Sequence, residues 1–241
     1  MVSRAEPQQK EYDENMNSKI SILIDGSGTL PDPKDKVIIM AAVGVNAQEI
    51  LLSALKKARK SMRCDKKEKS ISEVKFYKAG ERTKAVYLKE LSLANINIFA
   101  LIIEKNNQSI KDTPNNFALL AYILLKECLV FYKDIKIKEV IFDKHFQRKD
   151  DLIKFNEALL KLLGETLTLK HLSSVDNPEI NSADMVAGSL LWKYTGKNEK
   201  FYNLIKDKII SEQILNWKEA RAMIFANKNK KPHEPAQAPI Q

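Results

Sequence analysis

Three acidic residues stand where short apolar runs end, and a fourth opens a helical pattern. Asp25 follows the run from Ile20, Glu104 follows Ile102-Ile103, Asp143 follows Val140-Ile141-Phe142, and Asp184 lies in the first turn of helical spacing from Ser182 to Tyr194. Singly, each has an ordinary explanation. An Asp after a strand is a common turn residue, and Asp184 complements a helix dipole. Together they carry chemistry. Crowded carboxylates repel one another, and their pKa values rise unless a cation stands among them. Mg²⁺ or Mn²⁺ is the natural partner, because hard cations take oxygen ligands. Gly188, one helical turn after Asp184, lets that helix approach a sheet closely, although packing alone also explains a glycine there.

The elements that must position these residues follow from apolar spacing. Ile20 to Asp25 reads as a strand ending in an Asp-Gly turn, and Val37 to Val45 as a second strand. Two strands so near in sequence are most simply an antiparallel hairpin. Asn46 and Glu49 form a box-like helix start before Ile50, Leu51, Ala54, Leu55 and Ala58. Ala85, Leu88 and Leu91 space a second helix. Ile96 to Ile103 is a strand with Ile96, Ile98, Ala100 and Ile102 on one face. Thr113 and Pro114 open a helix that runs to Tyr132 and is apolar nearly all round, hence buried. Asp150 to Leu163 is an amphipathic helix stopped by Gly164. Thr166 to Leu172 alternates, with Leu167 and Leu169 inward, and Phe201 to Ile210 continues a helical pattern. A hairpin followed by alternating helices and strands predicts an α/β protein: a mixed sheet flanked by helices, with ligands bound at one sheet edge.

Composition bounds the rest. The chain has 241 residues, 44% of them apolar, and a net charge of +9. That length fits one large domain. We read residues 1–18 as a flexible leader, 19–225 as the domain and 226–241 as a disordered tail. The basic balance favours nucleic acid as a partner. Part of it is a run with Lys56, Lys57, Arg59, Lys60, Arg63, Lys66, Lys67 and Lys69, which is either a solvated face or a phosphate contact. The two cysteines, Cys64 and Cys128, show no metal spacing, so a reducing compartment is expected. No apolar leader precedes residue 19, and Phe117 to Tyr132 is interrupted and short for a membrane span, so the expected location is cytoplasmic, without a membrane.

Four segments in order carry a resemblance. They are Ile22-Leu23-Ile24-Asp25-Gly26-Ser27-Gly28, Glu73-Val74-Lys75-Phe76, Ile141-Phe142-Asp143, and Asn181-Ser182-Ala183-Asp184-Met185-Val186-Ala187-Gly188. In these the chain resembles the family called domain of unknown function 3800, which has an RNase H-like fold. The resemblance implies an RNase H-like mixed sheet and four acidic positions, Asp25, Glu73, Asp143 and Asp184. It brings in Glu73, which the strand-end argument misses, and makes Glu104 a surface turn residue. It implies a two-metal nuclease with ions about 3.5–4 Å apart clamping a scissile phosphate. Asp25 would bridge, Glu73 and Asp143 would hold one ion, and Asp184 would complete the other. Lys75 would contact a phosphate oxygen, His145 would assist proton transfer, and Asn181 stands on the substrate side. Two positions depart from the pattern. The family carries Glu after the first Asp, here Gly26, and Gln three residues before the last, here Asn181.

Two other readings compete. An RNase H-like module could bind nucleic acid or a protein without cutting, which Gly26 and Asn181 favour. A haloacid dehalogenase-like phosphatase would explain Asp25-Gly26-Ser27-Gly28-Thr29-Leu30 but lacks the second Asp, where Ser27 stands. Gly26-x-Gly28 is no dinucleotide motif, since Pro31 takes the third glycine's place.

Overall fold

The computed structural model describes residues 19–62, 73–164 and 166–228. The expected leader, most of the expected tail, Cys64 and the basic residues Arg63, Lys66, Lys67 and Lys69 lie outside the described residues. Six strands form one sheet: β1 (Lys19–Ser27), β2 (Val37–Val45), β3 (Ile96–Glu104), β4 (Lys136–Asp143), β5 (Leu169–Leu172) and β6 (Ile209–Asn216). Their order is β5-β4-β1-β2-β3-β6. The expected hairpin is present, since β1 pairs with β2 antiparallel and β2 with β3 likewise. β4 and β5 join β1 in parallel, and β6 joins β3 in parallel. An antiparallel β1-β2-β3 meander extended by parallel β4 and β5 is the RNase H-like α/β arrangement. The phosphatase alternative fails here, because β2 lies inside the sheet antiparallel to both β1 and β3, where that fold has parallel strands.

Two apolar layers cover the sheet. β2 has all nine residues buried, which requires cover on both faces. Helices α1 (Gln48–Met62), α2 (Glu81–Leu93) and α5 (Asn181–Tyr194) lie on one face, over Leu23, Ile39, Ala41, Ile98 and Ile141. Helices α3 (Pro114–Phe131) and α4 (Lys149–Leu163) lie on the other, over Ile22, Ile24, Met40, Phe99 and Phe142. The alternation within each strand sends odd and even residues to opposite layers. α3 has the length and composition of a membrane span, longer than its interrupted sequence indicates. It is instead a core helix, capped by Thr113 and buried from Ala118 to Leu125. Gly164 ends α4 at φ 68°, as its type predicts.

Three expectations need correction. β1 does not end at Asp25: it continues through Gly26 and Ser27, which pair with Met40 and Ile39. The turn comes at Gly28, whose φ is +90° and where a Cβ would lie 2.7 Å from the Val37 carbonyl oxygen. The helical pattern after Phe201 yields only a short helix, α6 (Tyr202–Ile205), and a 3₁₀ turn before β6 begins. β6 is a half-exposed edge strand, so it lacks the apolar run that marks an interior strand. Helix α7 (Trp217–Lys228) then carries the fold slightly past residue 225.

Gly44 in β2 shows how tightly the second layer is built. A Cβ there would collide with the Tyr132 ring, whose hydroxyl accepts a hydrogen bond from Asn97 Nδ2 at 2.9 Å. Replacing a strand glycine by alanine ordinarily helps. Here overpacking decides the sign, and Gly44→Ala should destabilise the chain by about 1–3 kcal/mol. A urea unfolding midpoint equal to or above that of the wild type would contradict this packing.

Candidate carboxylate centre

The strands and helices bring four acidic side chains together from four separate segments. Asp25 lies on β1 and Asp143 at the end of neighbouring, parallel β4. Leu23 and Ile141, two residues before each, face the layer that contains α5, so the period of two aims both carboxylates toward that helix. α5 packs on β1 and β2 and presents Asp184 in its first turn. Glu73 and Lys75 come from the turn before α2.

Gly188 sets how close this turn approaches α5. The Phe76 ring occupies the place where a Gly188 Cβ would stand. That ring also packs edge-on against Trp192 at 5.1 Å and Phe201 at 5.6 Å. Phe76 N–H, thereby fixed, donates to Asp184 Oδ2 at 2.6 Å. The glycine at one helical turn from Asp184 thus acts through packing, as the sequence allowed.

Each carboxylate has a distinct set of partners. Asp25 Oδ1 accepts from Gly26 N–H at 2.7 Å. Asp143 Oδ1 accepts from Lys144 N–H at 3.0 Å and Ser174 N–H at 3.3 Å. Ser174 Oγ donates to Glu73 Oε1 and lies 3.3 Å from Asp143 Oδ2. Lys75 Nζ donates to Asp143 Oδ2 at 2.9 Å and lies 3.5 Å from Glu73 Oε1. Asp25 and Asp184 form no salt bridge among the described residues. Burial, then repulsion from Asp184 and Asp143, raises the Asp25 pKa well above the ordinary carboxylate value, against the Gly26 N–H and Lys75. Burial likewise pushes Asp184 up to about 6, partly offset by the Phe76 N–H and Lys75 and reinforced by Asp143 and Glu73. Burial alone would lower the Lys75 pKa, but Asp143, Asp25 and Glu73 reverse this and hold it above the ordinary lysine value.

The donor set divides into two halves with respect to a divalent ion. Asp25 and Asp184 are buried, repel one another and make no salt bridge among the described residues, Lys75 acting on both only at longer range, which suits a hard metal ion. Glu73 and Asp143 are already matched by Lys75. Although the four carboxylates are neighbours, among the described residues no three Asp, Glu, His or Cys groups are arranged as a ready metal cage.

The remaining expected residues are dispersed. His145 lines a cleft of about 340 Å³ with Asp25 and Asp143, on the α3 side of the strand ends. Its Nε2 is hydrogen-bonded to Asp112 at 2.9 Å and its ring stacks on Phe117 at 4.2 Å. Asn181 is a correction: it is wholly buried and cannot touch a substrate. Its Nδ2 donates to the Pro178 carbonyl at 2.8 Å and reaches that of Ser174 at 3.5 Å, steadying the Ser174 loop. Lys75 is held by carboxylates rather than open to a phosphate. Glu104 is exposed at the end of β3, as expected. Sequence reasoning missed Ser174, which lies in the turn after β5 and outside its alternating pattern, and Lys105. Fully buried Lys105 donates to the carbonyls of Thr29 and Asp32, bracing the turn after β1.

The strand order and pairing thus give an RNase H-like α/β fold, with a buried carboxylate cluster at its strand ends. No family model and no curated protein sequence matches the chain. Among solved structures it is similar to Bst-RNase HIII in complex with Mn²⁺, at 12% identity and a TM-score of 0.46, over 85% of this chain and 62% of that one. It is also similar to RNase HII in its complex with PCNA from Archaeoglobus fulgidus, at 11% identity and a TM-score of 0.44, over 92% and 98%. The chain matches less than two thirds of the RNase HIII length.

The raised carboxylates make stability pH-dependent. A folded-state pKa above the unfolded value means that the native chain binds more protons, so stability present at low pH is lost as pH rises through the folded value. For Asp184 that window runs from its ordinary value of 3.8 to about 6. In EDTA, Asp184→Asn should therefore gain on the order of 2 kcal/mol relative to the wild type between pH 4 and pH 7.5. A wild-type-minus-variant stability difference that is flat with pH would refute the buried, uncompensated state of this group.

Proposed function

We propose that this chain hydrolyses phosphodiester bonds of nucleic acid with the help of a divalent metal ion. The observation that carries the reading is the convergence of Asp25, Glu73, Asp143 and Asp184 at one sheet edge, with Asp25 and Asp184 left without a cationic side chain. Catalytic centres are where such uncompensated charge is usually kept, because it costs stability. The order of the four motifs, which resembles domain of unknown function 3800, supports the same reading, as does the net charge of +9 toward a polyanion.

Asp25 and Asp184 would hold Mg²⁺ or Mn²⁺, which supplies Lewis acidity toward a phosphate oxygen and a water of lowered pKa. Gly26 N–H and Phe76 N–H each fix one oxygen of these carboxylates. The other oxygens, Asp25 Oδ2 and Asp184 Oδ1, accept no hydrogen bond among the described residues and are free to bind. Asp143 and Glu73 are tied by Ser174 and Lys75. His145, oriented by Asp112 and Phe117, stands in the adjoining cleft, where a proton carrier for the leaving oxygen belongs.

The test mixes purified protein with labelled single- and double-stranded DNA and RNA, with Mg²⁺, Mn²⁺ or EDTA. Metal-dependent cutting is expected, and Asp25→Asn or Asp184→Asn should reduce it on the order of 10²–10³-fold, as loss of one transition-state-stabilising group does. Binding without cutting by a folded wild type, unchanged in the variants, would favour the non-catalytic module instead.

A further inference from the structure

Lys75 is placed where a metal ion would be needed if the centre held two. Its ammonium donates to Asp143 Oδ2 at 2.9 Å and stands 3.5 Å from Glu73 Oε1, with the side chain only 21% exposed. Its backbone is pinned on both sides. The Lys75 carbonyl accepts from the N–H groups of Lys78 and Ala79, at 3.1 and 2.9 Å. The next residue, Phe76, is bonded to Asp184 and wedged against Gly188. Glu73, two residues earlier, is buried and held by Ser174 Oγ. The stem therefore cannot swing away with its segment, and departure of the ammonium would have to come from side-chain rotation alone.

A divalent ion at this position would need the same oxygens at about 2.1 Å. Two cations that close cannot share Asp143 Oδ2. Asp25 and Asp184 feel Lys75 only at longer range and have no cation in hydrogen-bond contact among the described residues. The charges in the cluster are thus divided, one pair of carboxylates closed by a covalently attached cation and the other left for an exchangeable one.

We infer that Lys75 replaces the second metal: the centre takes one divalent ion, on Asp25 and Asp184, while the Lys75 ammonium stands permanently on Glu73 and Asp143. This rests on the proposed metal-dependent function and changes its stoichiometry. Lys75 is then a fixed point charge that neutralises Glu73 and Asp143 in place of an exchangeable ion.

The experiment is a calorimetric titration of the full chain with Mn²⁺ alone, with thermal melting as the check on folding. The wild type should bind one ion, lost in Asp184→Asn. Lys75→Met, which keeps the length and removes the charge, should bind two, the second lost again in Lys75→Met/Asp143→Asn. Two ions in the wild type would overturn the inference alone and leave the nuclease reading standing, and this count needs no variant to fold. One ion in a folded Lys75→Met would overturn it equally. No ion in either chain would overturn both readings together.

Discussion

Like charge withheld from water is the constraint on which this molecule depends. Four carboxylates meet at the end of one sheet, and each must be compensated or protonated. The surrounding structure supplies donors one by one: Gly26 N–H to Asp25, Phe76 N–H to Asp184, Lys144 and Ser174 N–H to Asp143, and Ser174 Oγ to Glu73. Lys75 adds the only full positive charge within hydrogen-bond distance of the cluster among the described residues. Compensation is unequal: Lys75 bonds Asp143 and lies beside Glu73, while among the described residues Asp25 and Asp184 accept backbone N–H groups alone.

Placing these donors requires close packing some distance away. Phe76 can present its N–H to Asp184 because Gly188 leaves room for its ring and because Trp192 and Phe201 close around it. The turn after β1 is kept in place by buried Lys105 and by Ile110 N–H, which donates to the Leu30 carbonyl at 3.0 Å. These groups touch no reacting atom in the proposed scheme. They are positioning residues, and interiors this dense transmit a small displacement directly to the carboxylates.

The charge distribution places acid at the centre and base outside. Lys56, Lys57, Arg59 and Lys60 are exposed on α1, and Lys57 pairs with Glu90 at 2.7 Å. An exposed pair of this kind contributes little to stability. An acidic centre by itself would repel a phosphate backbone; under the proposed function, the basic outer faces and the internal cation would lower the electrostatic cost of bringing a polyanion to the strand ends.

From sequence alone, the apolar periods determined the hairpin, the mixed sheet and the buried α3, and residue type marked the stop at Gly164, because burial on one face or two leaves a direct imprint on residue type. Asp25, Asp143 and Asp184 were legible as residues adjoining apolar elements. Glu73 entered only through the resemblance, since a turn leaves no periodic trace. Only the tertiary structure decided that β1 runs on past Asp25, because strand length depends on the partner β2 offers. It also decided that residues 209–216 form an edge strand, which cuts short the helical pattern expected up to Ile210, since a half-exposed strand is stabilised by its neighbour and not by its own pattern. The burial of Asn181, the Ser174 bridge and the placement of Lys75 between Glu73 and Asp143 were likewise beyond the sequence. Each depends on a distance between segments up to about a hundred residues apart, and side-chain type does not encode such distances.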